Sequence, residues 1–119
     1  MITCRLGKKE YFIEQISGRA LREIQPALEA YGELAAVVKA ASAGEPAPAS
    51  TMTVQEMCDR IVAWFCIVFG NQFTPEMVYN LYPASRMIND FMLVIMAVIQ
   101  ARDDVLDSFP TKAARKKNP

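Results

Sequence analysis

The chain has 119 residues, 52% of them hydrophobic and 22% charged, with thirteen basic and thirteen acidic side chains. That length serves one buried core and is short for two, and the charge content excludes the highly charged, disordered class. From residue 51 to 110 three basic residues stand against seven acidic ones, whereas Lys112, Arg115, Lys116 and Lys117 crowd the last nine positions. An acidic body repels phosphate backbones, so no nucleic-acid partner is expected.

Residues 2–14 read as a β-hairpin. Ile2, Cys4 and Leu6 alternate with Thr3 and Arg5, and Tyr11 and Ile13 alternate with Phe12 and Glu14. Gly7 and Lys8 supply the turn, of type II′ because glycine comes first. A lone hairpin is marginal in water and has to lean on helices or on the strands of another copy.

Ser17 is placed to cap a helix with an apolar stripe at Leu21, Ile24, Leu28, Tyr31, Ala35 and Val38. Pro26 predicts a kink or break within that helix, and Gly32 weakens it further on. Residues 43–50, AGEPAPAS, have little to bury and resist both helix and sheet, so 43–51 is expected as an internal loop.

Thr53-Val54-Gln55-Glu56 is a capping box that opens the next helix. Its apolar positions, Met57, Cys58, Ile61, Val62, Trp64, Phe65, Val68 and Phe69, cover a broad arc, which marks a core helix, and Gly70-Asn71 provides a left-handed stop. Thr74-Pro75 starts a short helix with Met77, Val78 and Leu81 inward, and Pro83 ends it. A last long helix from about Ala84 to Leu106 contains the unbroken apolar run 91–99, FMLVIMAVI. Nine residues fall short of the ~20 that span a bilayer, so no membrane association is expected.

Two readings of that last helix stand open. It is either the central helix of the domain, covered by the others, or a helix with one side left to dock a partner, since a few short neighbours cover a fully apolar helix poorly. Met87, Met92 and Met96, with Met52, Met57 and Met77, would make such a surface adaptable, and core packing explains methionines equally well.

The expected fold class is therefore mostly α (α+β): an N-terminal β-hairpin followed by about four helices in a small bundle. Residues 1–110 form one helical domain in this reading, and 111–119 a disordered basic tail.

The chain contains no histidine, which removes the commonest general base and the usual partner of a serine or cysteine nucleophile. Neither phosphate-binding glycine loops nor a nucleophile elbow occurs. Asp103 and Asp104 are adjacent and so point about 100° apart on a helix, which makes them a solvated face and not a dyad. Cys4, Cys58 and Cys66 are odd in number and scattered, which reads as reduced thiols in a cytosol and not as a metal site. The expectation is a cytoplasmic protein with no catalytic centre, metal or cofactor, working by binding other proteins.

The order of segments resembles a known family. The hairpin running into a helix (ITCRLGKKEYFIEQISGRALREIQPALEAY), then a capped helix, then FTPEMVYNLYPASRMINDFMLVIMAVIQA, is similar to the small tail assembly chaperones of long-tailed phages and prophages. The resemblance implies a self-associating helical scaffold that binds the long, aggregation-prone tape-measure protein and recruits tail-tube subunits. It also implies a possible longer product made by ribosomal frameshifting, for which Lys116-Lys117 offers a site if its codons form a run of adenines. Tyr31, Trp64, Phe65, Phe69, Met92 and Ile95 are the residues expected to contain the core of a binding or self-association surface. Competing readings are a head-tail joining subunit of the virion and a small DNA-binding regulator. The regulator reading is disfavoured by the apolar run and Asp90, where a recognition helix presents basic and polar groups.

Overall fold

The period-2 pattern at the N-terminus forms strands β1 (Ile2–Leu6) and β2 (Lys9–Ile13), paired antiparallel with Ile2 opposite Ile13, Cys4 opposite Tyr11 and Leu6 opposite Lys9. In this computed structural model, which describes residues 1–107, Gly7 is the residue of the turn with positive φ, at 61°, as type II′ requires. Cys4, Leu6 and Tyr11 turn inward and bury, whereas Thr3, Arg5 and Phe12 point out.

Five helices follow among the described residues. Ser17 caps α1 (Gly18–Arg22), its hydroxyl accepting from the Ala20 amide, and the chain breaks at Glu23 before α2 (Ile24–Ser42). The break comes before Pro26 and not at it. Proline in the first turn of α2 sacrifices an amide that has no intrahelical partner anyway, so the helix tolerates it there. The inward face of α2 also differs from the expected stripe: Ala27, Ala30 and Leu34 are buried with Ile24, whereas Leu28, Tyr31 and Ala35 are half-buried and Val38 is exposed. Alanines on the contact line let α2 approach α3 (Val54–Val68) closely, and larger side chains there would hold the two apart.

The capping box at the start of α3 forms on both sides, Thr53 accepting from the Glu56 amide and Glu56 from the Thr53 amide. At the far end Gly70 and Asn71 both take positive φ, 66° and 58°, and the Asn71 amide returns to the Cys66 carbonyl. Thr74 and Pro75 then open α4 (Pro75–Leu81), and α5 (Ala84–Asp107) completes the described chain. In α4 it is Val78 that is buried; Leu81 is exposed and lies under the Gly7 turn, and Tyr82 takes the interior place beyond it. The expected basic tail, 111–119, lies outside the described residues.

Helix α3 is the centre. Seven of its fifteen residues are buried, and Phe65, fully buried, stacks on Phe91 of α5 at 4.3 Å and 28° and also meets Phe69, Phe73 and Tyr82. Tyr11 of the hairpin joins edge-on to Phe73, at 4.9 Å. The Trp64 indole N–H donates to the Ala20 carbonyl at 2.9 Å, a buried bond that ties α1 to α3. The molecule measures 49 × 37 × 20 Å. Twenty ångströms is about two helix diameters, so α3 is covered at the expense of its neighbours, each of which keeps a side towards solvent.

Candidate protein-binding surface

Helix α5 carries the apolar run 91–99, yet of its twenty-four residues the buried ones are Phe91, Val94, Ile95 and Val98. These occupy one stripe at helical spacing and face the aromatic core around Phe65. Met87, Ile88 and Ile99 flank the stripe, half-buried, and Met92 is also half-buried one turn beyond Ile88. On the opposite side Leu93 and Met96 stand 62% and 59% exposed, three residues apart and therefore neighbours on the helix surface. α5 is therefore not the central, covered helix: α3 holds that place, and α5 keeps one apolar side exposed.

By length and composition alone α5 would suffice to cross a membrane; 22% of its most apolar stretch is buried within the fold, in the core it shares with α3 and the hairpin. Asp90 precedes the run, and Gln100, Arg102, Asp103 and Asp104 close it.

Beside the half-buried flank of α5 runs a groove of about 250 Å³. Tyr31 and Leu34 of α2, Val54, Cys58 and Ile61 of α3, and Met87, Ile88 and Phe91 of α5 form its walls, so the lining is almost wholly apolar. Methionine and isoleucine on one wall against a tyrosine ring on the other make a trough suited to the apolar side of another helix.

The electrostatics around these surfaces are quiet. Burial pushes the Cys4 thiol up to about 12, with Cys66 and Asp90 adding to it, and pushes Cys66 up to about 11; Cys58 on the groove wall is raised by burial and then by Asp59. These shifts favour the protonated thiol at all three positions, which makes each a poorer nucleophile. The Tyr79 and Tyr82 phenols are raised by burial first and then by their hydrogen bonds to Asp59 and Asp90. Those bonds have a mechanical effect, fastening α4 to α3 and the end of α4 to α5. Among the described residues no three His, Cys, Asp or Glu side chains gather to hold a metal, and Asp103 and Asp104 turn to Arg102 and Gln100 respectively.

Of the six residues named from sequence, Trp64, Phe65, Phe69 and Ile95 lie in the interior, Tyr31 lines the groove and Met92 sits at the boundary of α5. Leu93 and Met96, the most exposed residues of the run, were not singled out as a pair, although their three-residue spacing was visible.

A family model described as phage tail chaperone protein matches residues 2–118, nearly the whole chain. The chain belongs to the phage tail chaperone family. No curated protein and no solved structure matches it. Members of a tail chaperone family assist the assembly of other tail proteins, and in this member the described residues offer exposed apolar surface on α5.

Proposed function

We propose that this tail chaperone binds the tape-measure protein through the outer side of α5 and the adjoining groove, and helps to bring tail-tube subunits to it in the host cytoplasm. The supporting observation is apolar surface in two places on α5: the open side at Leu93 and Met96, and, nearer the start of the helix, a groove walled by Tyr31, Met87 and Ile88. An amphipathic client helix laid into that groove buries its own apolar stripe and is withheld from aggregation. No nucleotide hydrolysis enters: the chaperone lowers the free concentration of client by mass action and gives it up when tube subunits compete. Trp64, Phe65, Phe69 and Ile95 serve this surface from beneath, holding α5 and the groove walls in place.

Co-expression with the tape-measure protein of the same tail, followed by size-exclusion chromatography with light scattering, tests the proposal. A soluble complex of defined ratio is expected. Client that aggregates while this chain elutes alone, together with recovery of the chain from purified particles, would replace the proposal with a joining subunit of the virion.

A further inference from the structure

Helix α3 gives Val54, Cys58 and Ile61 to the groove beside α5. Arg60, Ala63, Trp64 and Ile67 of the same helix, which at ~100° per residue fall on a different face, line a second cleft of about 330 Å³. Arg22, Glu23 and Pro26, around the break between α1 and α2, complete it. The floor is apolar: Trp64 is buried and held by its bond to the Ala20 carbonyl, Ile67 is half-buried, and Ala63 and Pro26 are exposed beside them.

Arg22 and Arg60 are both exposed, and among the described residues neither makes an ion pair or a side-chain hydrogen bond. The acidic side chains within one helical turn of them are engaged elsewhere. Glu23, which shares the cleft, pairs with Arg19 at 2.9 Å. Glu56, one turn before Arg60, folds back on Thr53 in the capping box, and Asp59 accepts from the Tyr79 hydroxyl. By contrast, Lys9 and Arg86 lie over the rings of Tyr11 and Tyr82. The cleft thus joins an apolar floor to two positive charges that lack a partner within the fold, on a body that is acidic from residue 51 to 110.

We propose that this cleft docks an acidic segment of a partner protein, its carboxylates taken by Arg22 and Arg60 and an apolar side chain between them seated on Ala63, Trp64 and Ile67. Charge complementarity selects the occupant. A guanidinium holds a carboxylate through two parallel N–H donors, which fixes orientation as well as adding strength. A nucleic-acid backbone would find two contacts and then the repulsion of an acidic body, and it would leave the apolar floor uncovered. Charges this exposed are screened by salt, so affinity falls as ionic strength rises. Because the cleft and α5 meet different faces of α3, one chain can hold a client on α5 and the acidic segment here at the same time. The inference does not rest on what α5 binds.

Trp64 is the single tryptophan of the chain and lines the cleft, so its fluorescence reads occupancy directly. The probe is a short helical peptide with glutamates two turns apart and a leucine one turn from each, all on one face, compared with a twin that carries glutamines instead. The acidic peptide should titrate Trp64 emission to saturation, bind more tightly than its twin and lose affinity as salt is added. It should bind about tenfold more weakly to the Arg22→Gln, Arg60→Gln double variant. Both positions are exposed, so the variant should melt with the wild type. No response to the acidic peptide, an equal response to its twin, or equal affinity for the double variant would each overturn the proposal. So would a stronger response to a short single-stranded DNA, or emission that changes with protein concentration alone and so reports a second copy in the cleft.

Discussion

Helices α3 and α5 are both rich in large apolar side chains, and the fold treats them oppositely. α3 has α2 on one side, Phe73 with Tyr11 of the hairpin behind it at one end and α5 over Phe65, and it buries seven of fifteen residues. α5 buries four of twenty-four and leaves Leu93 and Met96 in solvent. Apolar content sets what a helix gains from cover, but the supply of neighbours decides whether it gets it, and a molecule 20 Å thick has cover for one such helix. The difference also separates stability from binding: substitutions in α3 should act on folding, and those on the outside of α5 on the client.

The largest effect should come from the aromatic centre. Phe65→Ala removes a fully buried ring that meets four others and should lower unfolding free energy by about 3–5 kcal/mol in urea titrations. An effect confined to client binding, with stability intact, would break the contrast.

Trp64→Phe is milder, since it leaves the Ala20 carbonyl buried without its donor; a cost of about 1–3 kcal/mol in the same titration is expected, felt first where α1 meets α3. Thr53→Ala removes the cap that starts α3 and should cost about 1 kcal/mol, seen as a small drop in melting temperature.

At the other extreme, Leu93→Ser and Met96→Ser together should change unfolding free energy by no more than about 0.5 kcal/mol apiece, because both side chains are already in water. A large destabilisation would mean that the outer side of α5 is covered in the folded protein.

What could be read from sequence was mostly local chemistry. The Gly7 turn, the Thr53 capping box, the Thr74-Pro75 start and the Gly70-Asn71 stop each involve residues within a few positions of one another, and each forms. What escaped depends on distant partners. Ala27 and Ala30 became the inward face of α2 because small side chains allow close approach to α3, a property of the pair and not of the stripe. Gln72 capping Phe12 spans sixty positions and carries no periodic signal. Large aromatic residues are the first to be buried in a small fold, so Trp64, Phe65 and Phe69 went to the interior, whereas Leu93 and Met96 on the flank of the apolar run stayed exposed.

The most direct test of the account compares wild type with the Leu93→Ser, Met96→Ser double variant in co-expression with the tape-measure protein, melting temperature being measured on each chain alone. The account predicts equal melting temperatures, with client kept soluble by the wild type and lost to aggregate with the variant. Client held equally well by a folded double variant would contradict it and move the binding surface off α5.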